Sequence, residues 1–182
     1  MALLSNAKVI LGLHKTYAND ANTELIDDLI EEVTSAAEGF CNRKLLLGEY
    51  TEEISGDNGT LISVNAAPLW TVESVKLKRV GGLYTLSELT YNVDKENGLL
   101  RCSKWPAGTG NIEVTYTAGW DEDEVGKEPP ADLRGAIRDE VMARFLVFRS
   151  QPRVGDGLVD LTTDFLNQKS EKVLLGYRLN RL

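Results

Sequence analysis

Residues 72–84 read VESVKLKRVGGLY. Val75 and Leu77 alternate with Ser74, Lys76 and Lys78, which is the two-residue period of a half-buried strand rather than the wider period of a helix. Gly81-Gly82 then supplies two positions that accept positive φ before Leu83 and Tyr84 resume the apolar run, so the stretch predicts a β-hairpin. The hairpin's strands are expected at Val72 to Arg79 and Leu83 to Leu86. The same period recurs at Tyr50 to Ile54, Leu61 to Val64, Tyr91 to Val93, Leu99 to Cys102 and Ile112 to Thr117, with turns at Asp57-Asn58-Gly59 and at Asp94 to Gly98. Residues 49–120 therefore read as a module of short antiparallel strands.

On either side of this module the period becomes helical. From Asn22 to Arg43, Leu25, Ile26, Leu29, Ile30, Val33, Ala37 and Phe40 recur at three- and four-residue spacing with acids between them. Asp20 or Asn22 suits the cap, the early acids suit the positive end of the helix dipole, and Arg43 and Lys44 suit its other end. After the acidic loop Asp121 to Glu128, Pro129-Pro130 opens a second helix whose buried stripe is expected to be Leu133, Ile137, Val141, Phe145 and Phe148. The expected class is α+β: a small helical bundle with an antiparallel β module at 49–120 and a C-terminal extension at 151–182. The bundle comprises two long amphipathic helices, 22–43 and 130–149, plus a short N-terminal one at 5–13.

Composition excludes several classes of function. With 20 Lys+Arg against 28 Asp+Glu in 182 residues, the formal charge of -8 argues against gripping phosphate backbones, whose affinity comes from cations displacing counterions. No apolar run approaches the roughly 20 residues needed to cross a bilayer, so no membrane partner is expected. One histidine, His14, and two distant cysteines, Cys41 and Cys102, cannot supply a zinc set or a catalytic triad, so no metal, cofactor or catalytic residue is assigned. Gly108-Thr109-Gly110 opens a strand, not a helix, and lacks the spacing of a phosphate-cradling loop. The consecutive acids Asp121, Glu122, Asp123 and Glu124 cannot all converge on one ion and read as a solvated loop. A weaker reading, a hydrolase using carboxylates among Glu52, Glu53, Asp57 and Glu113, requires some pair of them to share a cleft with raised pKa.

Taken in order, Gly56-Asp57, Pro68 followed by Val72, Ser74 and Val75, Tyr91-Asn92-Val93-Asp94 and Gly98-Leu99-Leu100 lead into Trp105-Pro106-Ala107-Gly108. Val114 to Trp120 and Pro130-Ala131-Asp132-Leu133 follow. This ordered set, with the acidic helix before it, resembles the head-tail connector (adaptor, or head-completion) proteins of long-tailed bacteriophages over roughly Leu4 to Arg149. The residues after Ser150 match no pattern of that family. The resemblance implies a non-enzymatic structural virion protein of the neck, made in the host cytoplasm. It would form a ring, usually dodecameric, beneath the portal protein, bind the next neck or tail-completion protein, and let genomic DNA pass without specific binding. On the family pattern residues 1–150 would be the adaptor body. The alternative is a small non-enzymatic α+β module that binds or regulates another protein.

Two sets of residues are consistent with the ring. Carboxylates at Glu24, Asp27, Asp28, Glu31 and Glu32, with Asp121, Glu122, Asp123 and Glu124, could line a passage in which phosphates find no cation to exchange. In the extension the sign of charge reverses through Lys169, Lys172, Arg178 and Arg181. Around them stand Phe165, Leu166, Val173, Leu174, Leu175, Tyr177, Leu179 and Leu182. These apolar residues are too few to offset the entropy of ordering residues 169–182 alone, so the segment is expected to gain order by docking on the portal or a neighbour. The alternative is a final helix packed on its own domain.

Overall fold

The computed structural model describes residues 3–4, 20–79, 82–86, 90–150 and 166–178. The class is α+β, and the chain divides into two compact units. One holds residues 43–120, and the other combines residues 2–42 with 121–178. The helix expected at 5–13, and His14, lie outside the described residues.

The first unit is all β. Its strands are β1 (Gly48–Gly56), β2 (Leu61–Ser63), β3 (Leu69–Arg79), β4 (Gly82–Thr85), β5 (Tyr91–Asp94), β6 (Leu99–Cys102) and β7 (Gly108–Ala118). Every expected strand is present, several of them longer than the alternation indicated. Two antiparallel sheets result, one in the order β1-β7-β3-β4 and one in the order β2-β6-β5. The β3–β4 pairing closes at Arg79↔Gly82, so Gly82, at φ +136°, belongs to the strand and not to the turn. Gly108 and Gly110 likewise open β7, where the pairing with β1 shifts register between Ile54 and Gly56.

Alternation explains the core. Ile112, Val114, Tyr116 and Ala118 of β7 point inward with Val75 and Leu77 of β3, and meet Ile62, Tyr91, Leu100 and Trp105. Turn chemistry closes the ends. Asp57 Oδ1 accepts from the Gly59 amide at 2.7 Å, and Asp94 Oδ1 accepts from the Asn97 amide at 3.2 Å. Gly119, at φ +96°, is required: a Cβ there would lie 2.1 Å from the Leu46 carbonyl oxygen.

One polar cluster is set into this core. The Tyr116 hydroxyl donates to the Glu52 carboxylate and accepts from the Ala66 amide at 3.2 Å, while Glu52 also accepts from the Asn65 amide at 3.1 Å. Burial, and then the Glu52 carboxylate beside it, push the Tyr116 phenol far above the usual tyrosine range.

The second unit is helical: α1 (Asp20–Cys41), α2 (Ala131–Ser150) and α3 (Gln168–Leu174), followed by a 3-10 turn at Leu175–Tyr177. Ile26, Ile30, Val33 and Ala37 are the buried stripe of α1. Leu133, Ile137, Val141 and Phe145 are that of α2, whose first turn is closed by Arg134 N donating to the Pro130 carbonyl at 3.0 Å. Three expectations are corrected here. Phe148 is 52% exposed: it stays in line with the buried stripe, but in the last turn of α2 that line is no longer covered. Asn22 lies inside the first turn of α1 and is buried. Arg43 and Lys44 lie beyond the end of α1, and Arg43 serves the β unit: Nη2 donates to the Ala67 carbonyl at 2.6 Å and the guanidinium stacks on Trp120.

Replacing Tyr116 by Phe leaves the Ala66 amide buried without its acceptor, which is expected to cost about 1–3 kcal/mol in urea unfolding with an unchanged m-value. A loss of only a few tenths would contradict that role for the hydroxyl.

Candidate functional site

The acids of α1 separate into two groups. Glu24, Asp27, Asp28 and Glu31 are exposed and fall at helical spacing on one side, within about 10 Å of helix length at 1.5 Å per residue. Glu32 is exposed as well, at the edge of that side, and pairs with Arg144 Nη1 of α2. Like charges at this spacing repel, so the face costs the helix stability that its buried stripe must offset.

The loop before α2 does not present all its acids. Asp121 and Glu122 are buried, and Glu122 faces Arg134 Nη1 at 3.6 Å. Asp121 Oδ1 accepts from the Asp123 amide at 3.2 Å, and the Asp121 amide donates to the Lys127 carbonyl at 2.9 Å. Only Asp123 and Glu124 of the expected four are exposed, and Glu124 pairs with Lys127 at 2.6 Å. Asp121 and Glu122 are therefore removed from the lining set: their carboxylates build the loop and fasten it to α2.

The C-terminal segment is packed over residues 166–178, which corrects the expectation that it gains order only against a partner. Asn167 caps α3 by accepting from the Ser170 amide at 2.9 Å, and its own amide donates to Glu140 at 3.0 Å. Ser170 Oγ donates to the Ala136 carbonyl at 3.2 Å, and Cys41 Sγ donates to the Leu174 carbonyl at 3.5 Å. Lys169 Nζ pairs with Asp139 at 2.6 Å, the Tyr177 hydroxyl donates to Asp132 at 2.6 Å, and Arg178 stacks on Phe40. These contacts reach both α1 and α2, which the segment's own apolar residues do not reveal. Leu166 and Leu174 are buried and so are not available to a partner. Lys169, Lys172, Leu175 and Arg178 are exposed, and Val173 and Tyr177 are half-buried. Phe165, Leu179, Arg181 and Leu182 lie outside the described residues.

The four carboxylates of the β unit that a hydrolase reading would use are each tied to a different neighbour. Glu52 is held by Tyr116, Glu53 pairs with Lys78, and Asp57 holds its own turn. Glu113 accepts from Lys76 Nζ at 2.9 Å, and that hydrogen bond draws its carboxyl below the usual range, opposite to the raised value a general acid would need. Cys41 is buried and Cys102 half-buried.

Sequence reasoning missed Glu140 and Arg144, which bind at 3.1 Å, although their four-residue spacing on a helix was a visible signal. It also missed Val125, at the tip of the acidic loop, and Leu146 and Val147, all of them exposed.

No protein-family model and no curated protein matches the chain. Solved structures do match it. The fold is similar to a chain in the neck of an empty gene transfer agent (GTA) particle computed with C6 symmetry: 17% identity, TM-score 0.64, covering 97% of this chain and 90% of that one. It is similar to a chain in the virion of a native GTA particle at 15% identity and TM-score 0.62, with the same coverage. A third match is in the neck of a native GTA particle computed with C12 symmetry: 15% identity, TM-score 0.55, covering 97% and 92%. At these identities the likeness establishes the fold.

Two ionisations bracket the attachment of α3. Its hydrogen bond from Lys169 holds the Asp139 carboxyl below the usual range, so that contribution is present above the ordinary carboxylate pKa and is lost as pH falls through it. Burial, then the bond to Asp132, push the Tyr177 phenol up, so its contribution is present below the ordinary tyrosine pKa of about 10 and fades above it. Amides of residues 168–174 should therefore show their greatest hydrogen-exchange protection, corrected for intrinsic rates, at neutral pH. Leu174→Ala should lower it throughout, by about 2–5 kcal/mol. Protection unaffected by either change would contradict the packing.

Proposed function

We propose that this chain is a structural subunit of the neck of a phage-like particle, where copies form a ring that binds the portal and continues the DNA passage toward the tail. The observation that carries this reading is the fold likeness, which covers 97% of this chain and at least 90% of chains in GTA neck and virion structures. Two neck structures were computed with C6 and C12 symmetry, which suits a ring of repeated subunits. Nearly full coverage of both partners also means that both compact units are shared.

The chemistry of the surface agrees. A subunit through which DNA slides must not retain phosphates, and the exposed carboxylates Glu24, Asp27, Asp28 and Glu31 offer no cation to exchange for counterions. In this reading they line the passage. The exposed side of α3, with Lys172, Leu175 and Arg178, meets the portal or the next neck protein, where cations can pair with partner acids. Glu52, Glu53, Asp57 and Glu113 of the β unit, tied to neighbouring residues, take no part in chemistry in this reading.

Adding the purified full-length chain to DNA-filled, portal-bearing heads that lack it is expected to place an annular density at the portal vertex by electron microscopy. Heads left unchanged would overturn the proposal. Substituting Asp27, Asp28 and Glu31 together by Lys should leave that density in place and reduce DNA delivery by the completed particles. Unchanged delivery would remove these acids from the passage.

A further inference from the structure

The helical unit carries two exposed apolar features, one at each end of α2. Before its first turn, the loop 121–128 is closed by its own backbone: Glu124 N donates to the Asp121 carbonyl at 3.3 Å and Lys127 N to the Glu124 carbonyl at 3.0 Å. The loop is fastened to the helix through Glu122 and Arg134. At its tip stands Val125, 94% exposed, with Asp123 and Glu124 beside it. At the far end, Leu146, Val147 and Phe148 are 45%, 49% and 52% exposed. Successive residues stand about 100° apart, so Phe148 continues the line of the buried stripe past its cover while Leu146 and Val147 face other sides of the helix. Arg149 follows in the same turn.

The 20 residues of α2 hold these features about 30 Å apart at 1.5 Å per residue, so neither can satisfy the other within one chain. They are unlike in shape and opposite in charge: an ordered knob with an acidic rim, and a broader apolar turn with a cation. Such a pair is what a head-to-tail contact requires, in which one copy's patch meets a different patch on the next and repetition closes a ring. Two like patches would instead pair across a two-fold axis.

We infer that the Val125 loop of one copy seats on the Leu146–Phe148 turn of the adjacent copy, with Asp123 and Glu124 toward Arg149, and that this contact joins neighbours in the ring. The inference rests on the ring reading above and adds to it which surfaces meet. Placing the contact at both ends of one rigid helix makes α2 the spoke that sets subunit spacing.

The test uses the full chain with Cys102 replaced by Ser, Cys41 being buried, assembled on portal-bearing heads and treated with a short bis-maleimide. Val125→Cys and Phe148→Cys copies mixed in equal amounts should give a cross-linked dimer absent from either variant alone. The doubly substituted chain should give a ladder of higher species. Phe148→Glu, which leaves the buried stripe intact, should abolish the annular density. Rings that form without the mixed cross-link overturn this contact and leave the ring reading standing, and so does a dimer from Phe148→Cys alone. Failure of the unsubstituted chain to assemble overturns both.

Discussion

A buried guanidinium organises the helical unit. Arg144 lies between Glu32 of α1 and Glu140 of its own helix, and the Glu140 carboxylate in turn receives both the backbone amide and the side-chain amide of Asn167. Ionised groups this deep are stable only when each has its partners, because removing one leaves an uncompensated charge out of water. Three helices are thereby tied to a single position: α1 through Glu32, α2 through both central residues, and α3 through the residue that caps it. The rotation of α1 is set by its buried stripe of Ile26, Ile30, Val33 and Ala37, which leaves Glu24, Asp27, Asp28 and Glu31 on the open side with Glu32 at its edge.

The β unit is held by different means. Its stability rests on alternating apolar side chains from two sheets and on one satisfied polar cluster, in which Tyr116 joins Glu52 to the Ala66 amide. Among its described carboxylates Glu52, Glu53, Asp57, Glu73, Asp94 and Glu113 are tied to neighbouring side chains or backbone. The acidic face, the cationic side of α3 and the two apolar features are all found in the helical unit.

How much of this was legible follows from the range of the interactions. The seven strands were readable because a period of two persists even in short runs, and α1 and α2 because their stripes run for several turns. The acidic face of α1 was readable for the same reason. Asp121 and Glu122 were misplaced because their burial depends on a loop that folds back on itself and on Arg134, twelve residues beyond Glu122. α3 has only seven residues, too few to form by propensity, and it exists because Asn167, Ser170, Lys169 and Tyr177 find partners on α2. Phe148 was misassigned by carrying a stripe one turn past the residues that cover it.

Whether the open surfaces face a common axis is the question on which a neck role depends. A three-dimensional reconstruction of intact particles containing this chain addresses it most directly. Copies encircling the passage between head and tail, with Asp27, Asp28 and Glu31 turned toward the axis, are expected. Copies absent from that position, present singly, or turned so that those carboxylates face outward would contradict it.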